Sequence, residues 1–149
     1  MNARREAREL AMQALFQLDF NPQDLDAAVA AAWPDRELAA DVKAFAEELI
    51  RGVAAHRAKI DEEVRRCSEN WDLRRMGAVD RNILRVAMYE LLFRPDIPPV
   101  VSIDEAIDIA RDFSDETSAK FVNGILDRAR QDLDRPARTG GKKAAKPEG

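Results

Sequence analysis

The sequence predicts an all-α fold in a single domain, and three observations carry that expectation. Apolar residues recur at helical spacing in every segment long enough to judge, and Gly and Pro fall between those segments. No run alternates apolar and polar residues as a half-buried strand does. At 149 residues the chain is long enough to bury its own core without staples. Cys67 and His56 are the only cysteine and histidine, which excludes an intramolecular disulfide and any Cys/His metal cluster.

Seven helices are expected. The first spans Ala3 to Asp19, with Ala3, Ala7, Leu10, Ala11, Ala14, Leu15 and Leu18 on one stripe. Asn21 followed by Pro22 signals the start of a short second helix that Pro34 stops near Trp33. Asp35 caps a third helix to His56, whose inward stripe is Leu38, Val42, Phe45, Leu49 and Val53. A break between His56 and Lys59 leads to a fourth, with Ile60, Val64 and Cys67 inward, Cys67 as a buried small hydrophobe. Trp71 plugs the groove between the fourth and fifth helices.

The fifth helix, Arg74 to Phe93, is the core element. Val79, Ile83, Leu84, Val86, Ala87, Met88, Leu91 and Leu92 cover more than half of its circumference, so other helices must surround it. Arg81, Asn82, Arg85 and Tyr89 occupy the rest. Pro95, Pro98 and Pro99 force an extended turn. Ser102 and Glu105 then have the spacing of a capping box, which predicts a sixth helix from Ile103 to Phe113. The seventh follows the Ser114–Ser118 cluster and turns Val122, Ile125, Leu126, Ala129 and Leu133 inward. The domain is expected to end at residue 134, because residues 135–149 cannot bury enough apolar area to offset their ordering entropy and form a disordered basic tail.

Charge narrows the function. The chain carries a net −4, but the tail holds five cations and one anion, which leaves the first 134 residues at −8. Such a body repels bulk nucleic acid, so any RNA site must be a local patch. No amino-terminal signal segment or long apolar run is visible, which points to the cytoplasm.

Two patches stand out. On the first helix Arg4, Arg5, Arg8, Glu9, Met12, Gln13 and Phe16 lie opposite the apolar stripe, and an aromatic ring beside guanidiniums suits unpaired RNA bases. The alternative is that Phe16 tucks under the connection to the second helix while the arginines pair with Glu6, Glu9 or Asp19. On the seventh helix Phe121 sits at the edge of the buried stripe, near Lys120, Arg128 and Gly124. A glycine inside a helix suggests close approach of another backbone or a ligand, and helix packing is the plainer account. Asp80 lies near the start of the fifth helix, where the dipole favours a negative charge. Glu90 either pairs with an arginine, Arg85 or one on another helix, or marks a site. No nucleophile, base or oxyanion nest accompanies the two carboxylates, so no catalytic residue, cofactor or metal is expected.

Four segments carry a family resemblance: ARELAMQALFQLDF (Ala7–Phe20), DRNILRVAMYELL (Asp80–Leu92), SIDEAIDIA (Ser102–Ala110) and KFVNGILD (Lys120–Asp127). In this order and spacing they are similar to the NusB family of transcription antitermination proteins, and the likeness spans residues 3 to 131. It implies a non-enzymatic all-α domain built as two packed helical bundles. It also implies binding to boxA RNA of rRNA operon transcripts together with the ribosomal small-subunit protein NusE, within an RNA polymerase antitermination complex. Carried over by position, the implied RNA surface is Arg4, Arg5, Arg8, Gln13, Phe16, Asp80, Lys120 and Phe121, with Thr117 and Ser118 facing the partner. Departures from the family pattern are Glu6 within the arginine cluster, Phe16 for a tyrosine, Asp80 for a glutamate and Thr117 for an acidic residue. Two other readings stay open: an RNA-binding accessory domain related to rRNA cytosine methyltransferases, and a self-associating homodimer.

Overall fold

The computed structural model describes residues 3–69 and 72–133, so the expectations for Trp71 and for the tail lie outside the described residues. Seven α-helices make up the described part: α1 (Ala3–Phe20), α2 (Leu25–Ala31), α3 (Ala40–Ala55), α4 (Arg57–Cys67), α5 (Ala78–Phe93), α6 (Pro99–Phe113) and α7 (Glu116–Gln131). A single 3-10 turn, Leu73–Arg75, precedes α5, and no strand occurs among the described residues. Helix α5 is the shared axis of two bundles. It packs against α1, α3, α4, α6 and α7, and every residue from Asn82 to Leu91 is buried. Even its polar arc is enclosed, because Arg85 reaches Asp19 and Asp61 while the Tyr89 hydroxyl donates to Glu48 at 3.0 Å.

Four helix starts differ from expectation, each for an identifiable reason. Asn21 does not open α2; its amide still donates to the Gln17 carbonyl at 2.8 Å and so closes α1. The cap of α2 is Asp24, whose carboxylate accepts from the Ala27 amide at 3.2 Å. Asp35 does not cap α3, which begins at Ala40 after an extended Ala39 with no side-chain cap. Contacts elsewhere hold the intervening segment instead, with Arg36 paired to Glu6 on α1 and Leu38 packed on the core. Helix α5 begins at Ala78 rather than Arg74, since Met76 and Gly77 are extended. Arg81 donates to the Leu73 and Met76 carbonyls there, which satisfies groups that a continuous helix would have used.

The expected capping box is also corrected. Helix α6 starts at Pro99 behind Pro98, where a missing backbone N–H costs nothing. Ser102 and Glu105 are thereby released for contacts to other helices. Elsewhere the pattern and the fold agree: Val42, Phe45, Leu49 and Val53 are buried on α3, Ile60, Val64 and Cys67 on α4, and Val122, Ile125, Leu126 and Ala129 on α7. His56 marks the break between α3 and α4 and stacks on Phe93 with centroids 4.0 Å apart.

One close approach sets the distance between α3 and α5. A Cβ built on Gly52 would lie 2.3 Å from the Tyr89 ring, and that ring is held by burial and by Glu48. Gly52→Ala therefore has to push the two helices apart despite its better helix propensity, at an expected cost of about 1–3 kcal/mol. Urea unfolding of the variant checks this, and unchanged stability would show that Tyr89 moves freely.

Candidate nucleic-acid interface

The surface expected on α1 is only partly a surface. Arg8 was placed on the solvent side by the helical projection, yet it is 3% exposed and Met12 is 2% exposed. The reason is that α5 and α6 close over this arc of α1. Arg8 makes a two-pronged pair with Glu90, Nε to Oε2 at 2.7 Å and Nη2 to Oε1 at 2.8 Å, and Ser102 of α6 donates to the same Oε1 at 2.6 Å. Glu90 thus finds its arginine on another helix, as one of the two sequence alternatives required. Arg5 is half-buried and pairs with Glu105 and, at 2.8 Å, with Asp108 on α6. Arg4 stays exposed, and its guanidinium lies 4.4 Å from the Phe45 ring centroid.

Beside Arg5 the strip is acidic. Burial raises the pKa of Glu9, Arg5 opposes that rise, and Asp112, Glu6 and Glu105 reinforce it by repulsion. Cations and carboxylates therefore alternate along this edge of α1, and the phosphate attraction available to its arginines is correspondingly small.

The far end of α1 meets α5 through a polar junction. Asp19 accepts from Arg81 at 3.0 Å, Asn82 at 2.8 Å and Arg85 at 3.1 Å. Burial alone would raise its pKa, but the Asn82 hydrogen bond together with Arg85 and Arg81 holds it below the usual carboxylate range. One residue before Arg81 is Asp80, which joins α5 to α7: its Oδ2 accepts from the Ser118 hydroxyl at 3.2 Å. Its Oδ1 is buried without a hydrogen-bond donor, and desolvation raises the pKa despite the Ser118 bond. Asp80 is therefore an internal acceptor in this conformation, and direct base contact needs its carboxylate to turn outward.

Ser118 is likewise committed inside. Its amide donates to the Asp115 cap at 2.8 Å and its hydroxyl lies 2.8 Å from that of Ser114. Thr117, Lys120 and Asn123 are exposed on α7, and Phe121 is half-buried against the core. Gly124 meets open space where a Cβ would be, so the packing account of this glycine does not hold. Phe16 is half-buried and Gln13 exposed on α1.

The expected site residues consequently fall into two groups. Through Asp19, Asn82, Asp80 and Ser118 the Phe16 end of α1 is linked to the first turns of α5 and α7, and hence to Lys120 and Phe121. Arg4 and Arg5 lie about 16–18 Å from Phe16 along the α1 axis, at 1.5 Å per residue. One residue escaped the sequence reading: Phe20, 67% exposed, with its ring 5.0 Å from that of Phe16. The signal was its place one turn after Phe16, at i and i+4 on one face.

The family model described as the NusB family matches residues 5–131. The chain belongs to the NusB family. It is 45% identical over 140 residues to the transcription antitermination protein NusB of Myxococcus xanthus (strain DK1622), covering 91% of this chain and 100% of that protein. Among solved structures, T. maritima NusB aligns with a TM-score of 0.80 at 43% identity, covering 87% of this chain and 91% of that one. A crystal structure of antitermination factors NusB and NusE in complex with dsRNA aligns with a TM-score of 0.75 at 25% identity, over 89% of this NusB-family chain and 99% of the matched one. No helix among the described residues is long and apolar enough to cross a membrane.

Two outcomes follow from the buried charges. Arg8→Ala or Glu90→Ala leaves an unpaired ion inside, at an expected cost of about 3–5 kcal/mol, whereas the double variant Arg8→Met, Glu90→Leu should recover most of that loss. Denaturant midpoints of the three proteins decide it; equal losses in all three would mean that the pair contributes little beyond its packing. Asp80→Asn should raise the Tm at pH 7. The folded-state pKa of Asp80 lies above its unfolded value, so the charged form is penalised above the folded pKa and the penalty disappears as pH falls. The advantage of the asparagine should shrink through the acid range, and a Tm difference independent of pH would contradict this.

Proposed function

We propose that this NusB-family chain is a transcription antitermination factor that binds boxA-type single-stranded RNA of rRNA operon transcripts together with ribosomal protein NusE, inside an RNA polymerase antitermination complex. The observation that carries this reading is the likeness to the matched chain of the NusB and NusE complex with dsRNA, which extends over 99% of that chain. It is an adaptor without catalytic chemistry and works in the cytoplasm, where transcription takes place. The binding domain is assigned to residues 1–134, and residues 135–149, with five cations and one anion, add basic charge beside it.

The contacts divide by chemistry. Phe16 and Phe121 offer rings to unstacked bases, Gln13 offers an amide that can both donate and accept, and Lys120 meets phosphate. Arg4 and Arg5 extend the same path toward the start of α1. Arg8 serves the surface indirectly by fixing α1 in place, and Asp80 does so by tying α5 to α7. Thr117 faces NusE at the start of α7, while the bonds of Ser118 hold the turn that presents it.

Titration of a fluorescent boxA oligonucleotide, with and without NusE, tests the reading. NusE should tighten binding, and Phe16→Ala should weaken it with little change in its salt dependence. Lys120→Ala should lower the slope of log K against log salt by about 0.7, the value for one phosphate contact on a single strand. Binding indifferent to NusE and to both substitutions would overturn the proposal.

A further inference from the structure

Phe20 is the most exposed large apolar side chain among the described residues, and a phenylalanine left in water costs free energy that an isolated domain does not recover. Its ring is tilted 51° against Phe16 with centroids 5.0 Å apart, so the two rings leave no gap for a base between them. The outer face of Phe20 is open instead. Three residues back on the helix, Gln13 and Gln17 form a parallel exposed pair, also one turn apart. They border a groove between α1 and α2 that is floored by Leu10 and alanines and completed at its rim by Gln23. No charged side chain lines that groove.

Those features select a ligand class. An amide both donates and accepts, as the edge of a nucleobase does, and an apolar floor suits the flat faces of bases. The lack of cations argues against phosphate. We propose that Phe20, together with the groove rimmed by Gln13, Gln17 and Gln23, forms a second nucleobase site, which takes an unpaired base of the same RNA strand next to the one stacked on Phe16. The inference rests on the RNA-binding reading, because Gln13 belongs to that surface and also lines the groove, while Phe20 packs on Phe16. It carries the RNA path off the carboxyl end of α1 and onto α2. The chemistry is stacking plus edge recognition, so this site adds base preference and little salt dependence.

The full chain with NusE and a single-stranded boxA oligonucleotide, carrying 2-aminopurine at successive positions, provides the test. Phe20→Ala should weaken binding about 5- to 100-fold, as the loss of one base stacked on an aromatic does, and should leave the salt slope unchanged. Gln17→Ala should weaken it less, and one 2-aminopurine position should lose its quenching in the Phe20 variant alone. The Tm of both variants should match the parent, since both side chains are exposed. If Phe16→Ala weakens binding and Phe20→Ala does not, the second site is wrong while the RNA-binding reading stands. If Phe20→Ala instead abolishes self-association or NusE capture with the chain's own RNA affinity intact, the ring is a protein-docking surface and the inference falls. A parent protein that binds no RNA, with or without NusE, sinks both.

Discussion

The buried pair between Arg8 and Glu90 sets the orientation of α1, and the exposed chemistry of that helix follows from it. Both charges are almost wholly removed from water, which is costly, and the cost is offset only because the geometry is two-pronged and Ser102 supplies a further donor. Three helices meet in this one cluster, α1, α5 and α6. A rotation of α1 about its axis would separate the guanidinium from its carboxylate and strand two ions. The arc that carries Arg8 is therefore held inward, and Gln13, Gln17 and Phe20 are left facing solvent on the remainder of the helix.

The other end of the same helix is pinned by Asp19. Arg8 and Asp19 are eleven positions apart on α1, about 16 Å at 1.5 Å per residue, and each end is bound to α5 by charge-assisted hydrogen bonds. Hydrophobic burial along Ala7, Ala11, Ala14 and Leu15 would by itself tolerate sliding, since small side chains interlock weakly. Two directional anchors remove that freedom. The surface built on α1 is consequently a rigid one, where ligand-binding side chains pay little ordering entropy beyond their own. Asp80 and Ser118 extend the same logic from α5 to α7.

Helix number, order and inward stripes could be read from the sequence because each depends on periodicity within a single segment. Val42, Phe45 and Leu49, or Ile60 and Val64, need no knowledge of the neighbouring helices. The enclosure of α5 was also legible, since an apolar arc that wide has no other solution. Helix starts were not: Asn21 was taken up by the end of its own preceding helix, and Asp35 and Ser102 were judged by local capping rules while contacts distant in sequence decided their segments. Arg8 was misplaced for a related reason. A charged residue opposite the apolar stripe counts as exposed until a buried acid is found to meet it, and Glu90 lies 82 positions away. The sequence left Glu90 either paired with an arginine or marking a site; deciding for the pair, and naming Arg8, required the packing of α1 on α5.

The distribution of charge explains why a base-directed surface suits this molecule better than a phosphate-directed one. The first 134 residues carry a net −8, and many of the arginines in the described part are already paired: Arg5 with Glu105 and Asp108, Arg8 with Glu90, Arg81 and Arg85 with Asp19, and Arg94 with Glu48 and Asp96. An anion approaching α1 therefore meets guanidiniums whose fields are largely cancelled and carboxylates such as Glu9 and Asp112 nearby. Counterion release, the usual source of affinity for nucleic acid, is weak in that setting. Stacking on a ring such as Phe16 and amide contacts to base edges would not depend on net charge, so they suit an anionic body. The amide contacts to base edges would also discriminate among sequences in a way that phosphate contacts do not. A partner that brings its own cations to the same strand would supply the missing electrostatic attraction, and affinity would then depend on both proteins while base selection stayed with the rings and amides of α1.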